Sequence, residues 1–214
     1  MPRFPHSIID RWNVIRHSPV LLVLILSICI ALCAWADSLP ATQPSLTPNP
    51  GETEIPVTFL AGHDTNPIDH GRPVILIASA LGIPEQTFRD AFKAVHPAPP
   101  GRGPTADEAR ANKAALLKTL APLGITNDRL DEVSNFYRYN RSAGETWKQT
   151  PAQAYARIKD GKILGFILTN PGAGYSSPPE INIAGFPDAH ATATLSFTTD
   201  LTTNGSIKEI TRHR

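Results

Sequence analysis

Beyond residue 36 this sequence contains no cysteine. The 214-residue chain has two, Cys29 and Cys33, and both stand near its start. Residues 37–214 can therefore form no disulfide, no thiolate metal site and no cysteine nucleophile. A basic excess is missing as well. Arg3, Arg11, Arg16 and the single acid Asp10 belong to the first 36 residues, and residues 37–214 hold 17 Lys+Arg against 18 Asp+Glu. A formal net charge of −1 argues against a general nucleic-acid binder, which shows a basic footprint. Familiar catalytic spacings are lacking too. No Gly-x-Ser-x-Gly elbow is present, so any triad drawn from Ser134 or Ser176 with His63 or His190 is unconstrained. Gly172-Ala-Gly174-Tyr175 has the look of a phosphate loop. It runs into Ser176-Ser-Pro-Pro rather than into a helix whose N-terminus could face an anion.

The chain does carry an export pattern. Its arginine-bearing start leads into an uncharged apolar run from Val20 to Cys33, which closes on the small-x-small site Ala34-Trp35-Ala36. Residues 1–36 are expected to be a signal peptide, with the mature chain beginning at Asp37. The apolar run is shorter than the roughly 20 residues of a full span. The alternative is an uncleaved anchor with a cytoplasmic N-terminus, and the membrane would then be met only through this segment. Leu32 before Cys33 does not fit a lipoprotein signal. Export without cysteine suits a bacterial envelope: periplasm, cell surface or medium.

Residues 37–56 are rich in Pro, Ser and Thr and poor in large apolar groups, so they cannot bury enough surface to offset their ordering entropy. They are expected to be a disordered tether, with a short strand at Val57–Leu60 where order begins. A helical domain is expected over 57–148. Within it, Leu81-Gly82-Ile83 is echoed forty-two residues later by Leu123-Gly124-Ile125, and each copy reads as helix, turn, helix. Gly82 and Gly124 stand where a helix end needs positive φ. Pro84 and Thr126 open the next helices, and Thr105-Ala-Asp-Glu108 is a capping box. Duplication and a chance likeness of helix-turn-helix grammar both account for the echo. The stretch Val74–Ala80 is rich in β-branched residues and could pass for a strand; the echo favours helix.

From Pro151 the period changes to two. Ala154–Ile158, a hairpin turn at Asp160-Gly161, Ile163–Leu168, Ile181–Ile183, Ala191–Phe197, a turn at Asn204-Gly205 and Ile207–Ile210 make an antiparallel β module over 151–214. The fold class is thus α+β: an N-terminal helical domain of two helix-turn-helix hairpins followed by a small antiparallel β module.

Ala154-x-Ala156, Asp160-Gly161-Lys-Ile163 and Gly172-Ala-Gly174-Tyr175-Ser-Ser-Pro178-Pro179-Glu-Ile181-Asn-Ile183 together resemble a β-repeat of bacterial surface and phage-associated proteins. The resemblance implies a structural or display module and no catalytic residues. Gly172, Gly174 and Tyr175 would be its turn. The whole chain also resembles small exported bacterial proteins of unassigned function, through Gly71–Val74, Asn127–Asn135 and Tyr137-Arg138-Tyr139.

Two polar clusters could carry chemistry. His63, Asp64, Asp69 and His70 lie within eight residues and are of metal-ligating type, though without an established spacing. Otherwise the two aspartates make turns and cap the helix beyond them. Tyr137, Arg138, Tyr139 and Arg141 interleave rings with cations and could bind an anionic or sugar ligand. Otherwise the rings pack at a helix end and the arginines meet nearby acids or solvent. The expectation is a non-enzymatic envelope or extracellular binding protein without a cofactor. Its partner would be an envelope protein or a cell-surface glycan, and not a nucleic acid. The alternative is a metal-dependent enzyme built on the His63/Asp64/Asp69/His70 loop.

Overall fold

The first strand begins earlier than expected. In the computed structural model, which describes residues 49–213 except 97, 100 and 101, strand β1 spans Thr53–Leu60. The export segment and the start of the tether lie outside the described residues. Thr53–Pro56, expected in the tether, are the first half of β1. Ile55, Val57 and Phe59 alternate toward the sheet core. Pro56 interrupts the strand pattern without breaking the ladder. Thr53–Pro56 pair only with strand β2 (Gln153–Lys159), and pairing with strand β4 (Glu180–Ile183) starts at Val57. Pro56 therefore lies where β1 has a neighbour on one side only, the edge setting in which a strand tolerates proline.

Strand β3 (Lys162–Asn170) returns along β2, giving an antiparallel sheet in the order β3-β2-β1-β4. The Asp160-Gly161 turn joins them with φ of 50° and 70°, the paired positive values of a type I′ hairpin. Strands β5 (Ala191–Ser196) and β6 (Ser206–Arg212) form a separate two-stranded ribbon. β5 lies against β4 and β6 against β3, so the ribbon approaches both edges of the sheet. Val57, Ala156, Ile158, Ile163, Ile183 and Ile207 are central to the core enclosed there.

The helices are an insert between β1 and β2. They are α1 (Val74–Leu81), α2 (Glu85–Phe92), α3 (Ala106–Leu120) and α4 (Asn127–Phe136). The fold is α+β with a small antiparallel β module. That module nonetheless takes an inner strand from in front of the helices, including the residues 57–60 assigned by sequence to the helical domain. The echo has a common geometry. Gly82 and Gly124 both adopt left-handed φ, of 69° and 87°, and the next N–H reaches back five residues: Ile83 to Ala78 O at 3.0 Å, Ile125 to Leu120 O at 3.3 Å. Thr126 caps α4 through Arg129 N, and the Thr105/Glu108 capping box opens α3. The β-branched run forms helix α1 because it is the centre of the helical core. Val74, Leu76 and Ala78 are buried there with Phe88, Leu130 and Val133.

Asn204-Gly205 is more than a surface turn: it is the joint between the helical core and the sheet. Asn204 has no exposed surface; its Nδ2 donates to Leu76 O and to Tyr137 Oη, each at 2.8 Å. Its Oδ1 accepts from Thr198 N at 3.1 Å. The Gly172–Tyr175 turn lies beside it: Gly174 N donates to Asn204 O and Tyr175 N to Gly205 O. Tyr175 Oη accepts from Ala152 N, and Trp147 Nε1 donates to Gly174 O at 2.8 Å. Gly172 and Gly174 have φ of 65° and 86° and no room for a side chain; a Cβ would meet Thr150 O at 2.6 Å and Lys148 O at 2.7 Å.

Candidate functional site

The loop from Gly62 to Arg72 leaves β1 and enters α1, and it scatters the four groups expected as metal ligands. The His63 ring stacks on Tyr175 at 5.4 Å between centroids and meets Trp147 edge-on at 6.1 Å. Asp64 is tied to the turn after Tyr175: its N–H donates to Ser177 Oγ, and its carbonyl accepts from Ser176 Oγ at 2.7 Å. Asp69 is buried and receives a two-pronged bond from Arg89, Nε to Oδ1 at 2.9 Å and Nη2 to Oδ2 at 2.8 Å. His70 is exposed, in left-handed backbone at φ 51°. Among the described residues no three His, Cys, Asp or Glu side chains converge on a position that could hold a metal. Adjacency in sequence does not become convergence here: Asp64 is held by Ser176 and Ser177, and Asp69 by Arg89.

His63 Nε2 is enclosed and has no hydrogen-bond partner. Burial pushes the imidazole pKa below its ordinary value, and nearby Asp64 opposes this only in part. The folded state thus holds a neutral ring that the unfolded chain protonates near about pH 6.5. A depressed folded pKa gives stability that is present above the unfolded value and lost as pH falls through the folded one. We expect chemical-denaturation stability to fall as pH drops through and below about 6.5, and His63→Phe to flatten that fall. An unchanged slope in the variant would place the titration elsewhere.

Tyr137, Arg138, Tyr139 and Arg141 do not form a shared ligand platform. Tyr137 is buried at the joint with Asn204. Arg138 is exposed and donates to Asn135 Oδ1. Tyr139 packs edge-on against Trp147 and donates its hydroxyl to Gly71 O. Arg141 Nη1 donates to His70 O at 2.6 Å, and its guanidinium lies so close over Gly71 that a Cβ there would be 2.5 Å from Nη1. Tyr139 and Arg141 therefore brace the His70–Arg72 backbone, and Gly71 is required both for its φ of 87° and for this approach.

What they brace is one wall of a cleft of about 350 Å³, with Ile68, Asp69, Arg72, Val74, Phe88 and Phe92 among its lining residues. Its two inner arginines differ sharply. Arg89 is satisfied by Asp69 and by Glu85 Oε2 at 2.6 Å, and these bonds raise its pKa far above the usual range. Arg72 has its Cζ 4.0 Å from the Phe92 ring centroid, the stacking geometry of a cation–π pair. Its Nε is enclosed without a hydrogen-bond acceptor, and no carboxylate is paired with it among the described residues. Desolvation accordingly lowers its pKa, against the weaker pull of Asp69 and Tyr139. Neither Phe92 nor the Arg72–Phe92 stack was legible in the sequence; twenty residues, with α1 and the length of α2 between them, separate the two, and no spacing motif announces such a contact.

Asp69→Asn should cost about 2–3 kcal/mol, because it strips the part-buried Arg89 guanidinium of its main counter-charge while leaving Glu85. Urea unfolding at pH 7 measures this, and a loss under about 0.5 kcal/mol would show that the pair does not support the cleft wall.

Comparison with protein-family models, with curated proteins and with solved structures finds no match for this chain. Among the described residues no helix is long and apolar enough to cross a membrane.

Proposed function

We propose that this chain is an exported, non-enzymatic binding protein of the bacterial envelope, and that it holds an acidic group of its ligand in the Arg72–Phe92 cleft. The observation that carries this is Arg72: a half-buried guanidinium, stacked on an aromatic ring, with no acceptor of its own. A desolvated cation without a partner is costly in a folded protein. An anion in the cleft would offset that cost, and the fixed fork of guanidinium donors suits one. The neighbouring polar groups support binding rather than turnover. Asp69, Arg89 and Glu85 are engaged with one another, and His70 is the one imidazole among the cleft's lining residues.

Export rests on the arginine-bearing start, the apolar run and the Ala34-Trp35-Ala36 site. The likeness of residues 151–210 to a bacterial display module favours a partner on the envelope, either a protein or a glycan. Edman sequencing of the protein recovered from the envelope or medium should begin at Asp37; an N-terminus at Met1 would mean a retained anchor. A thermal-shift panel of acidic compounds should include some that raise the melting temperature of the wild type and not of Arg72→Met. A panel that acts equally on both would remove the cleft from the function.

A further inference from the structure

The cleft also limits what kind of acid it can hold. Deepening the proposed function, on which this rests, we infer that the ligand presents a single carboxylate borne directly on an apolar group. Free charge is the first constraint. Arg89 is matched by Asp69 and Glu85, and Lys93 by Asp90 at 2.7 Å. Arg72 is the one inner cation left without a carboxylate partner among the described residues, and because Arg72, Arg89 and Lys93 together already face Asp69, Glu85 and Asp90, the cleft has no surplus positive charge for more than the one anionic contact at Arg72. A second charge on the ligand would face the Asp69 and Glu85 side.

The walls set the second constraint. Val74 and Phe88 are buried, Phe92 is half-buried, and Ile68 at the rim is 62% exposed. These surfaces stabilise a ligand only by covering apolar area. Val74 and Phe88 are already covered, so the apolar area in play is that of Phe92 and Ile68, which a bare inorganic anion or a polar sugar acid would leave wet. With Nε enclosed, the two terminal nitrogens of Arg72 are the donors left for a ligand, a pair that matches the two oxygens of a carboxylate. At about 350 Å³ the cleft is at the small end of ligand pockets. It takes a short-chain or aromatic acid, or the last residue of a peptide, whose terminal carboxylate adjoins an apolar side chain.

Isothermal titration of the purified protein separates these cases. The probes are 3-phenylpropionate, its primary amide, acetyl-glycyl-phenylalanine with a free C-terminus, glucuronate and inorganic phosphate. 3-Phenylpropionate or the peptide should bind, and the amide should bind about ten- to a hundredfold more weakly, the loss of one charge-assisted contact. Arg72→Met should weaken the acid by a similar factor, and Arg72→Lys by less. The unfolding midpoint of each variant checks that it folds. The tighter of the free acid and the peptide names the source of the carboxylate, and either supports the inference. Should glucuronate or phosphate bind as tightly, and still require Arg72, the inference fails and the binding function stands. Should no probe bind, or should Arg72→Met and Arg72→Lys both keep full affinity, the inference and the cleft assignment fall together.

Discussion

Asn204→Ala is expected to remove about 3–4 kcal/mol of stability, a large share of what a domain of this size possesses. Three groups, two of them buried, depend on this one side chain: Leu76 O and Tyr137 Oη accept from its Nδ2, and the half-buried Thr198 N donates to its Oδ1. Each buried polar group stripped of its partner costs about 1–3 kcal/mol, softened where it keeps another bond. The two bonds from Nδ2 are also long-range, running from the ribbon to helix α1 and to the end of α4. Their loss should loosen the helices from the sheet as well as lower the midpoint. Guanidinium unfolding followed by tyrosine absorbance and by far-ultraviolet dichroism tests both. A loss below about 1 kcal/mol with coincident transitions would show that Asn204 is not the joint it resembles.

The second large effect is Gly205→Ala, best read against Gly161→Ala. The two glycines have nearly the same φ, 69° and 70°. Alanine in left-handed backbone costs about 1–2 kcal/mol at either position. The surroundings differ. A Cβ on Gly161 meets nothing within 4 Å, at an exposed hairpin tip. A Cβ on Gly205 would run into Tyr175 O and lie 2.6 Å from Leu76 Cδ2 and 2.9 Å from Tyr175 N. Backbone atoms cannot yield as a flexible side-chain end does, so the Tyr175–Gly205 hydrogen bonding would be forced apart. Gly205→Ala should cost at least about 4 kcal/mol or fail to accumulate as folded protein, while Gly161→Ala stays near the backbone cost alone. Equal melting temperatures for the two variants would mean that the packing at Gly205 is looser than its contacts imply.

These two substitutions bear on why the turn residues divided as they did. Asp160-Gly161 and Asn204-Gly205 are the same kind of dipeptide, and both adopt turns. One is a wet hairpin tip, and the other is the most enclosed polar point of the fold. The dipeptide reports only the local backbone preference, which in both places is met by a left-handed glycine. Burial is conferred by Leu76 and Tyr137, which lie more than sixty residues away. The His63–His70 cluster shows the same limit in reverse. Its side chains are close along the chain, and the fold directs them to Tyr175, Ser177, Arg89 and solvent.

By itself the sequence determined the α+β class, the helix ends at Gly82 and Gly124, the capping box at Thr105 and the Asp160-Gly161 hairpin. Each of these is decided within a few residues by φ preference, capping bonds or side-chain period, and such terms are complete in the local chain. Only the tertiary structure decided that β1 completes a sheet whose other strands begin some ninety residues later, that Asn204 is a core residue, and that Arg72 meets Phe92 without a carboxylate. Those outcomes depend on which distant surfaces meet. Strand pairing and desolvation are set by the partner that the closed chain brings, and no local preference encodes it.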